Sequence, residues 1–183
     1  MWNLPVSVKI GDKNFAIRND CDYRVVLDVI VALNDCELEL EHRIRCALFI
    51  FYEDLTKCDD FQTAINEMMR IIRLGKDEDD KHTEATFMDW EYDFPQLAPA
   101  ISKVLGYSVR DENKYTHWWD FVGAFMEIPS ECVWSTIVTI RIKKYKHKKL
   151  EAWEEEFCRE HPELINLPKK YSQEEEETFS LFE

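Results

Sequence analysis

The sequence predicts a mainly α protein, one or more helical bundles carrying a short N-terminal β-hairpin, on three observations. Apolar residues recur at three- and four-residue spacing from Val26 to Phe157, the period of helices with a buried face. Apolar and polar residues alternate around a turn signal from Val6 to Arg18, the pattern of a short hairpin, while the acidic-aromatic alternation Asp89-Trp90-Glu91-Tyr92-Asp93-Phe94 opens a helical stretch. Only four Gly and six Pro are present, too few turn residues for a many-stranded sandwich. The 183 residues suit one domain or two small ones. A globule of this size hides roughly 70% of its unfolded surface, so its core needs no covalent staples.

Val6-Ser7-Val8-Lys9-Ile10 alternates, Gly11-Asp12-Lys13 supplies turn chemistry, and Asn14-Phe15-Ala16-Ile17-Arg18 alternates again. That hairpin needs a neighbour, because two isolated strands are marginal in water. Asn19 or Asp20 is placed to cap a helix with Val26, Val29, Ile30 and Leu33 on one face, broken by Asn34-Asp35. A second helix from about Glu37 sets Leu40, Ile44, Ala47, Leu48, Phe51 and Leu55 on one stripe. Glu37, Glu39 and Glu41 lie at the positive end of its dipole. Phe49, Ile50 and Tyr52 fall off that stripe, which implies burial on two sides or contact with another chain. A third helix after Asp59 or Asp60 carries Phe61, Ala64, Ile65, Met68 and Ile72, and Gly75 ends it.

Lys76 to Thr86 is polar around Asp77-Glu78-Asp79-Asp80 and reads as an exposed linker. Beyond it, Phe87 to Arg141 holds four of the six Trp. Asp89, Glu91 and Asp93 read as the cap and charge balance of a helix start rather than as a carboxylate site. That helix carries Trp90, Phe94, Leu97, Ala98, Ile101, Val104 and Leu105, and Gly106 stops it. Pro95 suits its first turn, whereas Pro99 predicts a kink or a later start. From about Asn113 or Thr116 a further helix shows Trp118, Phe121, Val122 and Phe125 at core spacing, with Trp119 beside the stripe. Glu131 to Ile142 reads as helix, although its Val, Ile and Thr content leaves strand open. Arg141 to Lys149 holds six cations and no carboxylate. Its lysines, Lys143, Lys144, Lys146, Lys148 and Lys149, have three readings: a solvated helix end, a counter-patch for the acidic tail, or a docking surface for an acidic partner. Helix resumes with Leu150, Trp153 and Phe157, Pro162 and Pro168 punctuate the exit, and the last residues carry Glu174 to Glu177 and Glu183 as a frayed tail. The predicted organisation is an N-terminal unit over 1–75, an acidic linker over 76–88, a Trp-rich helical unit over 89–168 and an acidic tail over 169–183.

Net charge is −14, from 23 basic and 37 acidic side chains. Such a chain is repelled by nucleic-acid phosphate and by anionic lipid, so protein partners are expected. No signal-peptide pattern appears, nor an apolar run near the roughly 20 residues a membrane helix needs. The six scattered Cys (Cys21, Cys36, Cys46, Cys58, Cys132 and Cys158) fit reduced thiols in a cytoplasm. The five His share no ligand spacing, and Cys158 with His161 lacks the second pair that a zinc site needs. The Asp77 to Asp80 run lacks the alternation and central Gly of a calcium loop. Gly-x-Ser-x-Gly and Gly-rich phosphate cradles are missing too. The expectation is a protein that is not an enzyme and holds no metal or cofactor.

Phe87-Met88-Asp89-Trp90-Glu91-Tyr92-Asp93, a helix ending at Gly106-Tyr107, His117-Trp118-Trp119-Asp120-Phe121 and the Ile137 to Arg141 run resemble one known pattern. It belongs to a family encoded in the tail-gene clusters of Gram-positive tailed phages and prophages, commonly described as tail assembly chaperone-like. Asp89, Trp90, Glu91, Asp93, His117, Trp118, Trp119 and Arg141 carry the likeness, and Ile165-Asn166-Leu167-Pro168 is similar to the family's ending. Asp120 stands where the family often carries a base, Tyr92 and Pro95 alter the helix opening, and the glutamate-rich tail is outside the pattern. The resemblance implies binding rather than chemistry: keeping the long, apolar tape-measure protein soluble and helping recruit major tail tube protein, in the host cytoplasm and not in the finished particle. Off-stripe apolar residues add an expectation of self-association. Trp119, Phe125, Phe49, Ile50 and Tyr52 are the candidate partner contacts, read from pattern alone. The alternative is an acidic prophage host-interaction protein or a DNA mimic, which presents carboxylates in place of phosphates.

Overall fold

The structure, a computed structural model, describes residues 3–76 and 87–168; the predicted tail and all but the ends of the predicted linker lie outside them. The described residues form two units. One holds 3–76 together with Tyr115–Phe121, the other 87–114 together with 122–168. The segment Tyr115–Phe121, grouped by sequence with the Trp-rich unit, thus belongs with the N-terminal one.

In the first unit, β1 (Ser7–Ile10) and β2 (Lys13–Ala16) pair antiparallel with Val8 opposite Phe15. Val8, Ile10 and Phe15 are buried on one face and the remaining strand residues are exposed, including Lys13, which shares that face opposite Ile10. Asn19, Asp20 and Cys21 then all take positive φ, 49°, 52° and 65°. Left-handed backbone costs an L-residue about 1–2 kcal/mol, least for Asn and Asp. Neither Asn19 nor Asp20 is therefore the helix cap. Asp22 is, its Oδ1 accepting from the Arg24 N–H at 3.0 Å. α1 (Tyr23–Leu33) buries Tyr23, Val25, Val26 and Val29 and packs along α2 (Leu40–Phe51). α2 turns Ala47, Leu48 and Phe51 inward, while Leu40, at the other end of the predicted stripe, is 68% exposed. α3 (Phe61–Ile72), capped by Asp60 through the Thr63 N–H, buries Ala64, Met68 and Ile71 and packs against β1. The chain leaves α3 through Leu74 and Gly75, both left-handed, with the Gly75 N–H donating to Arg70 O at 2.7 Å.

In the second unit, α4 (Trp90–Leu105) runs as one helix through both prolines. Pro95 lies in its second turn, not its first. Pro99 removes the N–H that Pro95 O would accept, and Arg110 Nη2 donates to that oxygen at 3.3 Å instead. Gly106 closes α4 at φ 78°. α5 (Trp118–Met126) crosses from one unit's residues into the other's. α6 (Val133–Tyr145) is helix, which settles the strand alternative; α7 (Ala152–Glu160) and α8 (Pro162–Ile165) follow. Ile137 and Ile140 of α6 meet Ile165 of α8, with Leu150 and Phe157 against them. In α7 the sequence reading is corrected: Trp153 is 51% exposed and Glu154 is the buried residue. No helix among the described residues is long and apolar enough to cross a membrane.

Candidate functional site

The His-Trp-Trp motif is an internal fastener. His117 stands just before α5, and its Nδ1 accepts from the Trp119 N–H at 3.0 Å while Nε2 lies 3.0 Å from Pro5 O. A backbone carbonyl only accepts and an N–H only donates, so the ring is the neutral tautomer with hydrogen on Nε2. Trp118 Nε1 donates to Ile72 O and Trp119 Nε1 to Ile71 O, each at 3.0 Å. These are carbonyls of the last turn of α3, where intrahelical partners run out. Gly75 lies under the Trp119 ring, where an added Cβ would sit 3.5 Å from Cη2. Tyr115 Oη donates to Asp20 O at 2.8 Å, the Thr116 N–H to Asp22 Oδ2 at 3.2 Å, and Phe121 stacks on Tyr23 at 4.3 Å. The same segment that closes α3 thereby holds the left-handed turn. Burial pushes the Cys21 thiol in that turn up to about 12.

The acidic-aromatic opening supplies a second fastener, in the second unit. Asp89 caps α4 as the sequence suggests, accepting from the Glu91 and Tyr92 N–H groups at 2.9 and 2.8 Å. Asp93 does more than balance charge. It is buried, and both its oxygens receive Arg141, Nη1 at 2.7 Å and Nη2 at 2.8 Å. Arg141 also donates to Phe87 O and Leu164 O, tying α6 to the start of α4 and to α8. Arg141 therefore does not belong to the exposed basic run. Lys143 is also drawn inward, 2.6 and 2.8 Å from the Glu154 carboxylate. Lys144, Lys146, Lys148 and Lys149 stay exposed.

The five candidate contacts separate. Tyr52 is buried, with its hydroxyl donating to Ala64 O at 2.9 Å, so it offers no surface. It lies one residue past α2, in extended backbone bridged to Ile17, where helical spacing has no meaning. Ile50 is half-buried. Trp119 is half-buried and committed as above; Phe125 is half-buried against Trp90 at 5.2 Å in the second unit. Phe49 is 77% exposed. It borders a groove of about 670 Å³ between α2 and α3, lined by Ile44, Leu48, Leu55, Phe61 and Ile65 with Glu41 and Arg45 at its polar edge. Phe61, 53% exposed, is the second aromatic of this face. The sequence reading placed Phe61, Ile44 and Ile65 on core stripes. Stripes wider than the neighbouring helix leave their outer edge in water. Among the described residues, no three His, Cys, Asp or Glu side chains converge as a metal ligand set.

Residues 2–167 match the family described as bacteriophage Gp15 protein, and the chain belongs to that family of phage proteins. Searches of curated proteins and of solved structures each returned no match. The matched span takes in both fasteners and the groove, and stops before the glutamate run.

Proposed function

We propose that this phage-family chain is a non-enzymatic tail assembly chaperone. It holds an amphipathic helix of the tape-measure protein in the α2/α3 groove and assists assembly of tail tube subunits around that client. One observation carries the reading: Phe49 and Phe61 are exposed beside an apolar groove, while the aromatics of the family signature are spent inside the fold. A client helix laid in such a groove contributes anchors at i, i+3, i+4 and i+7. Net charge −14 on the chaperone keeps a complex with an apolar client dispersed. Trp118 and Trp119 serve this role indirectly, by fixing the C-terminal end of the helix that forms one wall.

The test is co-expression with the tape-measure protein of the same phage. The expected result is soluble tape-measure protein with the wild-type chain and its loss with Phe49→Asp. The Arg18 guanidinium lies 5.8 Å from the Phe49 ring centre, so that substitution should cost the chain's own stability about 1 kcal/mol and leave it folded, as urea denaturation would show. Tape-measure protein equally insoluble with and without the wild-type chain contradicts the reading, as does a Phe49→Asp chain that performs like wild type.

A further inference from the structure

The α2/α3 groove does not stop at the residues around Phe49 and Phe61. Ile44 and Ile65 line it and also line a second cleft of about 580 Å³, so the two join into one trough within the first unit. Leu33 at the end of α1 and Met69 of α3, both half-buried, carry the apolar floor onward. Beyond them the lining turns cationic. Arg70, Arg73 and Lys76 stand there with one carboxylate, Glu67, whose Oε2 accepts from Arg70 Nε at 3.0 Å. The Phe49 end is charge-balanced, its polar edge being the Glu41–Arg45 ion pair. Phe61 and Arg73 are about 18 Å apart along the axis of α3, roughly three helical turns.

We infer that the helix held in this trough sets apolar anchors on Phe49 and Phe61 and a carboxylate cluster, about three turns away, on Arg73 and Lys76. The inference rests on the groove reading above and adds to it the charge pattern of the client segment. Charge complementarity supplies the argument. A chain of net charge −14 repels acidic segments from afar, but salt confines that field to about 8 Å at physiological ionic strength, and at contact the local cations decide. An apolar stripe alone lets a helix slip by a turn or reverse its direction. One charged end removes that freedom, because the wrong register leaves the carboxylates away from the cations.

Fluorescence anisotropy with the full chain and three synthetic amphipathic helical peptides tests this. All share one leucine stripe of about four turns; glutamates occupy the last turn of one, the first turn of another, and glutamines replace them in the third. Expected at about 0.15 M salt is that one glutamate peptide binds about fivefold more tightly than the glutamine peptide, a preference opposed by the net charge. Lys76→Glu, an exposed site past the helix, and Arg73→Gln should each reduce that preference and leave glutamine-peptide affinity unchanged. Phe49→Asp should weaken all three. Glutamate peptides no tighter than glutamine, with all three weakened by Phe49→Asp, overturn this inference and leave the groove reading standing. So does a preference that survives both cation variants while their thermal midpoints fall, the result if those cations serve only the dipole of α3. Binding that Phe49→Asp leaves intact, or no binding of any peptide, contradicts the groove reading and takes this inference with it.

Discussion

Asp93, Arg141 and Glu154 are charged groups carried inside, and each is held by a partner that the local sequence does not announce. The side chains of Asp93 and Arg141 are each only 4% exposed. Removing one member strands the other in a low-dielectric setting, so Asp93→Ala or Arg141→Ala alone should cost about 3–5 kcal/mol in urea denaturation. Replacing both with apolar residues, as in Asp93→Leu with Arg141→Met, should cost far less than the sum; a double variant as unstable as the sum would refute mutual pairing. For Glu154, burial opposes ionisation, but the Lys143 hydrogen bond, the Glu151 N–H and the Lys143 charge outweigh it and hold the carboxyl below its ordinary 4.5. A folded-state value below the unfolded one stabilises the fold above about pH 4.5, and that contribution is lost as pH falls through the lower folded value. The stability difference between wild type and Glu154→Gln should accordingly shrink on acidification below that point. Sequence spacing gave no sign of Glu154 and made Asp93 a helix-start charge. Their partners lie 11 and 48 positions away, beyond the reach of any helical period.

At the scale of elements, carbonyls at helix ends and beside a proline are met by donors from elsewhere in the same unit. Arg18 donates to the carbonyls of Phe49, Ile50 and Tyr52 at the end of α2. Trp118 and Trp119 do the same for α3, and Arg110 fills the position that Pro99 vacates in α4. Trp118→Phe and Trp119→Phe keep an aromatic ring and delete the indole N–H. Each should lose about 1 kcal/mol or more in thermal denaturation, the smaller ring adding a packing loss. Amide exchange should quicken first in the last turn of α3. The helices themselves were legible, because apolar period, the Asp60 and Asp89 caps and the Gly106 stop agree with one another. Less legible were the junctions. The left-handed turn at Asn19 to Cys21 moves the α1 cap to Asp22, and a proline penalty was overridden where a guanidinium replaced the missing bond.

Over the described residues, the side chains that make the two fasteners and the aromatics left exposed are different sets. His117, Trp118, Asp93 and Arg141 are buried, and Trp119 is half-buried with its N–H used; Phe49 and Phe61 are exposed. Of the predicted contacts, Phe49 stands at the groove because it fell off the core stripe of α2, a signal the sequence carries. Leu40 and Phe61 were missed because periodicity says which side of a helix is apolar, not how much of that side a neighbour covers. The most direct test is hydrogen–deuterium exchange of the full chain alone and mixed with the tape-measure protein proposed as its client. The account predicts slowed exchange in α2 and the first half of α3, residues 40–66, with Tyr115 to Phe121 unchanged. Protection concentrated on Tyr115 to Phe121, with residues 40–66 unaffected, would contradict it.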